Sequence, residues 1–361
     1  MHAEGARLAS IQRLRGIAAL LVVLVHAIDL ADRSPDAGAL APLWLINDLG
    51  ASGVDLFFVL SGFVMTLGLD RFTGPGGWRR FLVARAIRIL PLFWLLNLLL
   101  IVLIGTIPDW RSAITALLLL PAADMRDFYF PPLWVGWTLA FEAGFYLMVA
   151  LAARSARPAV ALVALVGAAS LAGAVLQPSW PLAQVLLNPI MLEFGLGVLI
   201  CLAWRRGVSA SIRSACIITG ALLLVVPRLL MAEVVFSPEA GLVIDGTLSF
   251  HRVLFWGVPW ALILTGATGG ADRSHRGGLL HKLGDASYSL YLSHAILVAL
   301  IENSLAGSGA YQAIVTVTTA SMALGLATHR WVEQPLARLL RRTGDASAPT
   351  MVDGSRRVGQ A

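Results

Sequence analysis

Ten apolar stretches divide this chain, each about as long as the roughly 20 residues a helix needs to cross a bilayer. They run over 11–30, 47–69, 86–107, 133–153, 159–176, 183–203, 214–231, 248–268, 284–302 and 311–329. A shorter run at 112–121 reads as a half-buried or re-entrant piece. Only 13% of the residues are charged and 58% are hydrophobic, whereas soluble domains carry roughly 25% charge. Such a chain has too little polar surface to face water on all sides, so its apolar excess needs lipid as solvent. The sequence therefore predicts an all-α integral membrane protein with about ten transmembrane helices. Residues 1–342 form one transmembrane domain, and the polar, small-residue-rich stretch 343–361 is a disordered cytoplasmic tail.

The basic residues orient the chain. All 27 are arginine except Lys282, and they are scattered between the apolar runs with no basic arm, which argues against nucleic acid as a partner. With the N-terminus in the cytoplasm, only Arg33, Arg111, Arg126, Arg228 and Arg252 fall outside. That asymmetry predicts both termini to be cytoplasmic. Cys201 and Cys216 show neither metal-ligand spacing nor a disulfide framework and read as small core or lipid-facing residues.

Ionisable groups within spans are costly and mark function by default. Arg15 and His26 are eleven residues apart in the first segment. That is roughly 16 Å along a helix and about three turns, so they share one face, the arginine at the inner mouth and the histidine near mid-membrane. Asp55, Glu142 and Glu193 add carboxylates from three other spans. Ser287, Tyr291 and His294 form one stripe by i, i+4, i+7 spacing. Arg85 and Arg88 share a face at the inner edge of the third span. The planar fork of arginine suits phosphate oxygens. Phosphates of an acyl-CoA held at Arg15, Arg85 and Arg88 would let its pantetheine arm rise between the helices toward His26. Transfer to a hydroxyl then needs a base, for which histidine is suited, and either Glu142 or Asp55 would orient the ring. Ser61, Tyr146, Tyr291 and His294 are candidate oxyanion or acceptor contacts. No G-x-S-x-G elbow occurs, so direct transfer is simpler than a covalent intermediate, with an acyl-histidine as the alternative. No metal and no permanently bound cofactor is expected; acyl-CoA enters as substrate.

These residues sit in motifs that follow one another along the chain: RGIAALLVVLVH (15–26), GVDLFFVLSGF (53–63), the pair Arg85 and Arg88, WTLAFEAGFY (137–146), LGDASYSLYLSH (283–294) and a closing EQP (333–335). In that order, from Ile11 to Pro335, the chain resembles the membrane-bound acyltransferase family 3. Its opening, IQRLRGIAALLVV, looks most like the exopolysaccharide-modifying branch. The resemblance implies a multi-pass protein of the bacterial inner membrane. It implies O-acylation, with acetyl-CoA as donor, of a carbohydrate or glycolipid acceptor such as exopolysaccharide or O-antigen. It also implies that His26 is catalytic and that Arg15, Arg85 and Arg88 serve the acyl-CoA. Ser293 departs from the Trp the family often has before the histidine, and no SGNH-type esterase domain follows the last helix, so a second transfer step is expected to need a separate protein.

Blander roles stand beside these. Arg79 and Arg80 read as membrane anchors, and Asp29, His251 and His329 as hydrated residues near helix ends. The loops 31–46, 108–132 and 227–247 are expected to shape the acceptor site. A secondary transporter or flippase for a lipid-linked sugar or small molecule is the competing reading, with the central charges as a substrate or ion relay.

Overall fold

The computed structural model of the chain describes residues 2–230, 240–268, 278–302 and 307–346. Among them every regular element is a helix. The first half comprises α1 (His2–Ala31), α2 (Trp44–Ala51), α3 (Gly53–Gly68), α4 (Gly77–Ile104), α5 (Trp110–Leu118), α6 (Trp137–Ala152), α7 (Pro158–Leu176) and α8 (Pro181–Leu186). There follow α9 (Met191–Arg206), α10 (Ala210–Leu230), α11 (Ala240–Ile244), α12 (Ser249–Arg252), α13 (Val258–Ala267), α14 (Leu279–Asp285), α15 (Ser287–Ile301), α16 (Ala310–Thr328) and α17 (Gln334–Ala346).

The helix ends follow local chemistry. Gly105 takes a left-handed conformation and closes α4, as an achiral residue can without strain. Asp109 caps α5 by accepting from the Arg111 amide. Prolines open α7 and α8, where a missing N–H costs nothing.

Eight helices among the described residues are long and apolar enough to span a bilayer, or nine if the bent pair α14–α15 is one span. These nine cover every expected segment but 248–268. That segment is helical too, as α12, a π-turn over Val253–Gly257 and α13, and it carries His251 and Arg252 inside. The piece at 112–121 is the short helix α5. Helix α17 continues through Ala346, into the stretch read as tail, and 347–361 lie outside the described residues.

The spans differ in depth. In the stretches holding α3 and α6, 72% of the apolar window is buried, against 22% in α7 and 11% in α10. So α3 and α6 form the centre, and α7 and α10 offer residues such as Val175 and Leu230 to the outside, which is where lipid would lie. Lipid tails do not drive helices together, so close packing must. Glycines make it possible. A Cβ on Gly62 would stand 2.0 Å from the Phe194 carbonyl oxygen, and one on Gly197 would stand 2.1 Å from that of Val59, so α3 and α9 touch backbone to backbone. Beside this contact Phe194 stacks on Phe58 and Phe145 with ring centres 4.6 and 4.5 Å apart. The crossing of α1 and α14 is equally tight, since a Cβ on Gly284 would lie 1.8 Å from the Gln12 carbonyl oxygen.

Candidate active site

A cavity of about 410 Å³ lies at the meeting of α1, α3, α4, α6 and α15. Its wall contains seven of the ten site residues expected from sequence: Arg15, Ser61, Arg85, Arg88, Glu142, Tyr146 and Tyr291. Each is delivered by a different motif or by a different position in one. The bend of 83° between α14 and α15, at Ala286, turns Ser287, Tyr288 and Tyr291 toward the cavity. Gln12 pins this bend to α1 by donating to Asp285 Oδ1 at 2.7 Å.

The cavity is polar where lipid would forbid it. Glu142 Oε1 accepts from Ser61 Oγ at 3.1 Å and from the Tyr146 hydroxyl at 2.5 Å. Arg15 shares the cavity wall with Arg88 and Glu142. Arg88 Nη1 lies 4.0 Å from Glu333 Oε1. Glu333 is held in turn by Ser289 Oγ at 2.6 Å and by His329 Nδ1 at 2.8 Å, inside a π-turn at the end of α16. The closing EQP motif thus braces Arg88, and His329, read as a hydrated end residue, is part of that brace. Arg85 keeps a buried Nε that has no hydrogen-bond partner among the described residues.

The two histidines stand beyond the cavity wall. Their rings stack, 5.4 Å apart and 14° from parallel, and the edge of Trp134 meets His26 at 4.6 Å. Tyr291 connects them to the cavity: its ring lies 5.9 Å from that of His294. His294 Nδ1 lies 3.1 Å from the Leu290 carbonyl oxygen. A carbonyl only accepts, so this nitrogen carries the hydrogen. Nε2 is buried and unpartnered among the described residues, and in the neutral ring it is the nitrogen without a hydrogen.

The chain is similar in sequence to known proteins. The profile of an acyltransferase domain family matches residues 8–330. The chain belongs to acyltransferase family 3. A curated relative, the exopolysaccharide production protein ExoZ of Rhizobium meliloti (strain 1021), is 30% identical over 308 residues, covering 80% of this chain and 90% of the relative. The acyltransferase MdmB of Streptomyces mycarofaciens is 29% identical over 395 residues, covering 95% of each. No solved structure matches the chain.

Three expectations for this family 3 site change with the geometry. Neither Glu142 nor Asp55 orients His26. The carboxylate at the histidine is Asp29, whose Oδ2 lies 3.7 Å from His26 Nδ1. It is one helical turn further along α1, where sequence reading saw only a hydrated end. Asp55 is instead taken by Arg252, which donates Nε to Oδ1 at 3.1 Å and Nη2 to Oδ2 at 2.7 Å. Arg228 and Arg252, counted as loop residues by sequence, are buried, and Arg228 is paired with Asp48. Glu193 lies beside the Asp55–Arg252 pair, away from the cavity lining. Finally, the oxyanion candidates already use their protons. Ser61 and Tyr146 donate to Glu142, and Tyr291 donates to the Val135 carbonyl at 2.8 Å.

Proposed function

We propose that this family 3 acyltransferase moves an acyl group, acetyl, from a cytoplasmic acyl-CoA to a hydroxyl of a carbohydrate acceptor of the cell surface, such as exopolysaccharide or O-antigen. The observation that carries this reading is one cavity with Arg15, Arg85 and Arg88 in its wall and a histidine pair just past Tyr291. Three guanidiniums suit the phosphates of the CoA head. The RGIAALLVVLVH helix then sets the depth of the reaction, since Arg15 and His26 are separated by roughly 16 Å of helix. The name of ExoZ supports a polysaccharide acceptor, and that of MdmB supports acyl transfer.

In this mechanism a histidine of the pair takes the proton of the acceptor hydroxyl. The freed oxygen attacks the thioester carbonyl carbon, the C–S bond breaks, and the CoA sulfur leaves with the proton from the histidinium. Products are the ester and free CoA, with no redox step and no metal in the scheme. His26 is the base on this reading, with Asp29 supporting its charged form. The chain sits in the bacterial inner membrane with both termini in the cytoplasm, which places the arginine end on the acyl-CoA side.

The test is the thermal unfolding midpoint of purified protein with and without acetyl-CoA. A ligand bound only by the folded form adds about 2.7 kcal/mol at a hundredfold excess over Kd. A rise that disappears in the Arg85→Ala/Arg88→Ala variant is expected. No rise with wild type at saturating acetyl-CoA removes the donor assignment.

A further inference from the structure

A second depression, of about 380 Å³, opens at the far end of α1 from Arg15. It is formed by the last turn of α1, the short 3-10 helix Ala37–Leu43 and the start of α2. Asp29 and Asp32 line it from α1, and Trp44 and Asn47 line it from α2. We propose that this depression is the acceptor subsite and takes one neutral sugar ring, an inference that rests on the acyltransferase reading above.

The chemistry of the lining is what a sugar requires. A pyranose shows a fan of hydroxyls at its edge and a patch of C–H bonds on its face. Carboxylate and amide oxygens accept from the hydroxyls, and an amide N–H₂ donates to them. The Trp44 ring, 48% exposed, offers a flat apolar surface for the C–H face. The volume lies in the range of small-ligand sites.

Position links the depression to the reaction. Asn47 Nδ2 donates to Asp29 Oδ1 at 3.3 Å, and Asp29 Oδ2 lies 3.7 Å from His26 Nδ1. His26 has 22% of its side chain exposed and stands between the two hollows, in the lining of neither, with Asp29 as its link to the depression. Fourteen residues separate Arg15 from Asp29, roughly 21 Å of helix. Donor and acceptor would therefore approach His26 from opposite ends of α1. The wall of the depression is also anchored. Asp36 Oδ1 accepts from the Ala310 amide at 2.7 Å, and the Tyr311 hydroxyl donates to the Ala39 carbonyl at 2.9 Å, so α16 holds the 3-10 helix in place.

Saturation-transfer NMR tests the subsite, with the protein in phospholipid nanodiscs so that no sugar-headed detergent competes. The probes are methyl glucoside, methyl galactoside and methyl rhamnoside. Transfer to at least one of them is expected with wild type. It should fall by roughly fivefold or more in Trp44→Ala and in Asn47→Ala, with the unliganded unfolding midpoint unchanged in both. Absence of transfer to all three glycosides, or undiminished transfer in both variants, overturns the subsite. The acetyl-CoA effect on the midpoint reads the donor site separately. Sugar transfer that depends on Trp44 in a protein that ignores acetyl-CoA would uphold the subsite and remove the donor reading alone.

Discussion

Arg252 and Arg85 both sit inside the helical bundle, and the protein treats them in opposite ways. Arg252 is 4% exposed, binds both oxygens of Asp55, donates again to the Ala51 carbonyl and lies 4.3 Å over the Trp256 ring. Arg85 lies against the Phe81 ring at 5.7 Å and keeps a buried Nε without a partner among the described residues. Its neighbour Arg88 reaches a carboxylate only at 4.0 Å and is 40% exposed. A guanidinium has five N–H donors. Where they are satisfied and sealed, the arginine ties helices together. Where they are left open beside a cavity, the arginine is poised for a ligand. The same residue type thus ties helices together in one place and, on the proposed function, holds substrate in the other, and completeness of pairing separates the two.

The sharpest break of this comparison is His26→Ala, which belongs to the open side. Loss of a positioned base costs roughly 10²–10⁴ in rate, so acyl transfer measured as ester formed should fall by that factor with little change in unfolding midpoint. Transfer at the wild-type rate removes His26 from the chemistry. Next comes the sealed side. Asp55→Ala leaves Arg252 buried and unpaired and should destabilise the protein by about 3–5 kcal/mol, read from denaturant or thermal unfolding. The double replacement Asp55→Leu/Arg252→Met should recover most of that loss, because a buried ion pair and an apolar pair of similar volume are close in stability. A stable double variant without activity would show that the cluster does more than hold helices.

Smaller effects sharpen the open side. Arg85→Ala/Arg88→Ala should raise the KM for acyl-CoA by roughly 10- to 100-fold, since a hydrogen bond to a charged group is worth about 1.5–3 kcal/mol. An unchanged KM would make these residues anchors like Arg79 and Arg80. Smallest is Tyr146→Phe, which removes one of two hydroxyls on Glu142. About 1 kcal/mol is at stake, a loss of roughly fivefold in kcat/KM. A much larger loss would give the Tyr146 hydroxyl a direct part in the transition state.

The sequence disclosed its fold class because spans are written locally: an apolar run of sufficient length must become a helix in lipid. The arginines of the cavity and its carboxylate Glu142 were legible for a related reason, since charge inside or at the edge of such a run stands out whatever the tertiary contacts. Arg252 and Arg228 were missed because both lie toward the ends of apolar runs, where an arginine reads as a loop residue. Only the fold showed Asp55 and Asp48 waiting for them. Asp29 was passed over for the same reason: three residues beyond His26, at a helix end, hydration explains a carboxylate equally well.

Residue periodicity alone determined that Arg15 and His26 share a face of one helix and that Ser287, Tyr291 and His294 share another, and the length of the apolar runs determined that this chain lives among lipid. Which carboxylate meets which arginine was decided elsewhere. It depended on the backbone contact of Gly62 and Gly197 between α3 and α9 and on the brace from Glu333 to Arg88, both joining residues remote in sequence, and on the bend at Ala286 that redirects α15. A helix dictates its own faces through a fixed rise and turn per residue. It cannot dictate its neighbours, because the partner of a buried charge is set by close packing across the whole bundle.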